Sequence, residues 1–134
     1  MNPGTYKLLI TGSMGAGKTS AISAVSEIPT VCTDTPIMMD ATMGEKTTTT
    51  VAMDYGEVMI DAARKVAVFG TPGQRRYDFM CRILADNALG VLILVDQTSS
   101  EPVTELGYYL DLYHELVDAG AAVVGVTHAE DNPT

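Results

Sequence analysis

The chain has 134 residues and carries 8 basic against 17 acidic side chains, a formal net charge of −9. That length holds one domain with a real core and leaves no room for a second, while the acidic balance repels nucleic acid. With 46% hydrophobic and 19% charged residues the composition is globular, and the longest apolar run, Ala88 to Val95, falls far short of a bilayer span. Met1-Asn2-Pro3-Gly4-Thr5 lacks a signal pattern, and Asn2 stands where myristoylation requires glycine, so a cytoplasmic location is expected. Cys32 and Cys81 have neither metal-type spacing nor the density of a secreted scaffold, and both read as reduced thiols.

In chain order, Thr5 to Thr11 reads as a buried strand. Gly12-Ser13-Met14-Gly15-Ala16-Gly17-Lys18-Thr19 follows it and spells G-x-x-x-x-G-K-[ST]. Glycines let the backbone curl so that several N–H groups point at one phosphate, the next helix offers its positive end, and Lys18 adds a point charge. The Thr19 hydroxyl is placed for Mg²⁺, and a nucleoside triphosphate is the default ligand. The helix is expected from Lys18 to about Ser26, ahead of Pro29.

Ile28 to Lys46 has no clean period and reads as a long functional loop. Thr47 to Tyr55 with Val58 to Ile60, then Arg64 to Phe69, predict an antiparallel hairpin turning near Asp61-Ala62-Ala63. Gly70-Thr71-Pro72-Gly73 breaks the chain, a helix follows over Arg75 to Asn87, and Ala88 to Val95 is a buried strand. Pro102 opens a helix to residue 118 with Val103, Leu106, Leu110, Tyr113 and Val117 on one stripe, Gly120 caps it, and Ala121 to Val126 is the last strand. Strands alternating with helices place the chain in the α/β class, with helices on both faces of a mostly parallel sheet.

Two segments could touch a γ-phosphate. In Thr47-Thr48-Thr49-Thr50 a hydroxyl could complete Mg²⁺ coordination, although the run also suits an edge strand. In Thr71-Pro72-Gly73-Gln74, Gly73 can approach the phosphate closely and the Gln74 amide can orient an attacking water.

Order and spacing of these pieces resemble the Ras-like superfamily of small GTPases, and more narrowly its bacterial branch that includes MglA and the conservon-encoded GTPases. The matching segments are Gly12 to Thr19, Thr50-Val51-Ala52-Met53-Asp54-Tyr55, and Phe69-Gly70-Thr71-Pro72-Gly73-Gln74-Arg75-Arg76-Tyr77. The resemblance implies a three-layer phosphate-loop fold with one antiparallel strand, binding GTP and GDP with Mg²⁺. It casts Lys18, Thr50 and Gln74 in catalysis, Thr19 and Thr50 on the metal, and Gly12 to Thr19 with Ser20 and Gly73 around the phosphates. The family's second-switch aspartate, which holds Mg²⁺ through water, is Gly70 here, a loss the bacterial branch tolerates. Asp54 reads first as a solvated or locally bonded strand residue and alternatively as an outer helper of Mg²⁺. Asp96 reads first as a strand-end loop residue and alternatively as the metal acid of an ATPase or nucleotide kinase.

Base recognition in the family uses Asn-Lys-x-Asp after the fifth strand; here Thr127 and His128 align with the first pair and Glu130, or alternatively Asp131, with the aspartate. The chain ends where a family member continues, so a C-terminally incomplete single G domain over residues 1–134 is expected, with weak nucleotide binding or self-association through an exposed sheet edge. The resemblance further implies a switch with slow hydrolysis, worked by a roadblock-type regulator. The rival readings are a non-hydrolysing nucleotide-binding interaction module and an ATP-binding enzyme. Met14, bulky where relatives are small, is expected to slow turnover, and an internal arginine finger from Arg75 or Arg76 is the lesser reading against two solvated side chains.

Overall fold

A computed structural model describes residues 4–40, 46–73 and 75–129, with the backbone alone for 32–40 and 46–52. Six strands form one sheet: β1 (Thr5–Gly12), β2 (Val31–Asp40), β3 (Lys46–Met59), β4 (Lys65–Gly70), β5 (Gly90–Asp96) and β6 (Ala122–Thr127), in the order β2-β3-β4-β1-β5-β6. β1 pairs in parallel with β4 and β5, and β5 with β6, whereas β3 runs antiparallel to both its neighbours. β3 is therefore the single reversed strand, the arrangement a short β3–β4 turn requires in an otherwise parallel sheet.

Alternation along β1 and β5 feeds two cores. Leu9, Val91, Ile93 and Val95 face α2 (Asp78–Ala85), α3 (Pro102–Leu112) and α4 (His114–Asp118), packing with Cys81, Tyr109, Leu112 and Tyr113. Ile10, Val68 and Leu94 face the other way, against Ile22 of α1 (Lys18–Val25) and Ala16. Helices thus cover both faces, giving the three-layer α/β sandwich that the sequence pattern predicts. The β3–β4 turn falls where expected: the Asp61 carboxylate accepts from the Ala63 and Arg64 amides and from Arg64 Nε, which holds it below its ordinary value.

Three expectations need correction. Ile28 to Lys46 is not one long loop, because β2 pairs along its whole length with β3, Val31 opposite Tyr55 through Asp40 opposite Lys46; cross-strand pairing supplies what period could not. Residues 41–45 lie outside the described set. The helix expected over 102–118 breaks at Tyr113 (φ −108°, ψ 30°), and Val103, assigned to its apolar stripe, is 81% exposed while Tyr109 and Leu112 are buried. The helix after Gly73 begins as a 3₁₀ turn, Arg75–Tyr77, before α2.

Candidate functional site

β1, β4 and β6 all end at one side of the sheet, where loops after parallel strands gather into a crevice. The loop after β1 curls through glycines at positive φ, 83° at Gly15 and 103° at Gly17, values that a side chain would strain. Lys18 opens α1 and folds back over the loop, its Nζ donating to the Gly12 carbonyl at 2.6 Å and the Ser13 carbonyl at 2.8 Å. Burial pushes the Lys18 ammonium below its ordinary value, opposed by the nearby Asp54 carboxylate and by Cys81. A charged donor is thus held at the mouth of a curl of glycines, the arrangement that receives a phosphate.

β3 and β4 supply the second part. Thr19 Oγ1 donates to Asp54 Oδ2 at 2.5 Å, and Asp54 stands directly opposite Gly70 in the ladder. A Cβ at Gly70 would fall 2.9 Å from Ile22 Cδ1 and 3.4 Å from Asp54 Cβ. A carboxylate from β3 thus reaches Thr19 from beside position 70. Asp54 is a bonded strand residue, an arrangement that fits both the locally bonded reading and that of an outer helper of Mg²⁺. Hard oxygen donors of this kind suit Mg²⁺, which takes carboxylate, hydroxyl and phosphate oxygens and keeps several waters. Among the described residues no three His, Cys, Asp or Glu side chains cluster as a protein-only metal site, so a cation here would draw its other ligands from phosphate and water.

Gly73 closes the crevice from the β4 side. A Cβ there would lie 2.9 Å from both the amide nitrogen and Cγ of Met14, and 3.2 Å from Lys18 Nζ. Met14 itself is 72% exposed. Gln74 lies outside the described residues, and the next two side chains rest on aromatic rings, Arg75 3.9 Å above Tyr108 and Arg76 4.8 Å above Tyr77. Thr50 belongs to β3 opposite Pro36; it lies four residues from Asp54, about 13 Å of extended chain, on the half of β3 that runs beyond β4. Its side chain is outside the described set.

At the end of β6, His128 adopts φ 58° and brings Nε2 to 3.3 Å from the Gly15 carbonyl oxygen, while Thr127 Cγ2 lies 3.7 Å from where a Cβ of Gly17 would be. The two residues aligned with a base-recognition pair are thus packed on the phosphate loop. Glu130 lies outside the described residues. Asp96 ends β5 by accepting from the amide and hydroxyl of Thr98, which holds its carboxyl below the ordinary value, as a strand-end turn residue would. Ser20 follows Thr19 in α1 with an exposed side chain.

The fold is found elsewhere: the G domain of the T. maritima FeoB iron transporter superposes with a TM-score of 0.58 at 15% sequence identity, over 95% of this chain and 74% of that one. No curated protein matches the sequence, and no described helix is long and apolar enough to cross a membrane. The family model described as "Conserved hypothetical ATP binding protein" matches residues 10–113, a stretch running from the end of β1 through Tyr113. With its phosphate loop, Thr19–Asp54 pair and G-domain-like sheet, the chain belongs to this family of nucleotide-binding phosphate-loop proteins.

Proposed function

We propose that the protein is a GTP-binding switch that hydrolyses the γ-phosphate slowly with Mg²⁺. The observation that carries this reading is the convergence of Lys18, Thr19–Asp54 and Gly73 on one crevice. In it, Lys18 and the loop amides neutralise the phosphates, and Thr19 with Asp54 holds the metal side of the site. Gln74 orients water for direct attack on the γ-phosphate, without a covalent intermediate. When bound, Mg²⁺ would offset charge on the phosphate oxygens. Thr50 joins this set only if the part of β3 around it leaves its ladder with β2, a change of the kind nucleotide switches make. Thr127, His128 and Glu130 are assigned to the base. Displacement of a fluorescent GDP analogue by GTP, ATP and their diphosphates tests the reading; it stands on guanine selectivity and falls on none.

Slow turnover rests on Met14, whose Cγ lies 2.9 Å from where a Cβ of Gly73 would be. Met14→Gly is expected to raise single-turnover hydrolysis about tenfold, a barrier change of about 1.4 kcal/mol. An unchanged rate would remove Met14 as the brake.

The ATP-binding alternative is favoured by one observation, the name of the matched family. Asp96 adds nothing to it, since its carboxylate is engaged by Thr98. An ATP preference in the displacement experiment would establish that alternative. We assign regulation to a protein partner of roadblock type in the cytoplasm, and residues 1–134 to a single G domain. Among the described residues β6 is an edge strand with Val123 65%, Val124 41% and Val126 58% exposed, a template for pairing between copies. Sedimentation is expected to show concentration-dependent dimers that Val124→Lys with Val126→Lys abolishes.

A further inference from the structure

A chain of buried hydroxyls lies beneath the phosphate site without taking part in it. Thr71 Oγ1 donates to Thr11 Oγ1 at 2.7 Å, and Thr11 Oγ1 is 3.1 Å from the Tyr113 hydroxyl. Thr11, Thr71 and Tyr113 are each no more than 2% exposed, and the Cys81 thiol of α2 is buried in the same core cluster as Tyr113. Burial pushes the Tyr113 phenol and the Cys81 thiol upward, so both stay protonated.

The placement of these groups is specific. Thr11 immediately precedes the loop at Gly12, Thr71 stands two residues before Gly73, and Tyr113 sits where α3 gives way to α4, out of helical geometry. A buried hydroxyl is costly unless bonded, and among the described residues no buried side-chain nitrogen or oxygen lacks a partner. Phenylalanine, valine and alanine would fill the same core without that requirement. A fully paired polar group inside a core rigidifies its members and fixes one arrangement. Here the members are the two segments that flank the phosphate crevice, and the group that joins them comes from a third element.

We propose that Tyr113 is a positioning residue for the second switch: through Thr11 and Thr71 it holds the Thr71–Gly73 segment against the phosphate loop. Its consequence for nucleotide rests on the triphosphate reading above; the restraint itself does not. Loosening that segment costs only ligands that reach Gly73, which a γ-phosphate does and a diphosphate does not.

Two readouts on the full chain test it. Hydrogen exchange of the amides of residues 71–77 in nucleotide-free protein reads the restraint, and affinity for GDP against a non-hydrolysable GTP analogue with Mg²⁺ reads the consequence. Tyr113→Phe, which keeps the ring, is expected to raise exchange in 71–77 about tenfold while α1 exchange is unchanged, and to weaken the GTP analogue about tenfold with GDP unaffected. Thr71→Val should reproduce both effects and Thr71→Ser should retain wild-type values, which decides the matter if Tyr113→Phe does not fold. Unchanged exchange in 71–77, or equal loss of both nucleotides, overturns the proposal. Wild-type protein that binds neither nucleotide overturns the proposed function, while the exchange result still decides whether Tyr113 holds the segment.

Discussion

Asp54→Asn is expected to raise the Mg²⁺ concentration for half-maximal triphosphate binding at least about tenfold, or about 1.4 kcal/mol, with the fold intact. Asparagine keeps an oxygen that can accept from Thr19, so the variant removes charge and little else. Asp54 sits 2.5 Å from the Thr19 hydroxyl and across the ladder from Gly70, where the proposed GTPase reading expects a carboxylate. Restoring that carboxylate alone does not improve the site. In Gly70→Asp a buried side chain meets Ile22 and sets a second negative charge beside Asp54, which should destabilise the fold by about 3 kcal/mol. Asp54→Asn combined with Gly70→Asp relieves the repulsion and is expected to regain part of the Mg²⁺ affinity. A Mg²⁺ titration of fluorescent-nucleotide binding with thermal melts of all three variants checks the set; no change in Asp54→Asn would reduce Asp54 to a hydrogen-bond acceptor for Thr19.

The pairing of Asp54 with Gly70 was within reach of the sequence. A turn centred on Ala62 puts Asp54, eight residues before it, opposite Gly70, eight residues after it, and the structure has this register. The predicted turn at Asp61-Ala62-Ala63 therefore contained the pairing, but a lone aspartate in a strand is so often solvated that period alone does not single it out. The phosphate loop was legible for a different reason: its chemistry needs fixed residue types at fixed intervals, Gly12, Gly17, Lys18 and Thr19, so local spacing suffices. β2 was illegible because Thr, Pro, Asp and Met carry no period, and its strand character comes from pairing with β3. Tyr113 looked like one more apolar position on a helical stripe; that its hydroxyl meets Thr11, 102 positions earlier in the chain, and through it Thr71, depends on how the sheet and helices pack.

Lys18→Ala is expected to weaken triphosphate binding at least about a hundredfold, about 2.7 kcal/mol, while the melting temperature stays close to wild type. The two parts of that expectation share one cause. In the crevice the ammonium is partly desolvated, held by the Gly12 and Ser13 carbonyls, and its charge is disfavoured by burial. The fold therefore already bears the cost of placing a cation there, and removing it relieves desolvation while losing two hydrogen bonds, terms of opposite sign. Binding has no such compensation. A phosphate arriving at the loop gains a cation that is already partly desolvated, and two unit charges about 4 Å apart attract by about 4 kcal/mol at an effective dielectric constant of 20. Lys18→Arg is expected to fail as well, because a planar fork cannot reach both carbonyls and a phosphate from the curl that a flexible stem fits. Nucleotide titration beside thermal unfolding separates the two effects. Loss of binding with an unchanged melt would establish Lys18 as the phosphate cation, whereas binding that survives Lys18→Ala would mean that the loop amides alone hold the phosphates.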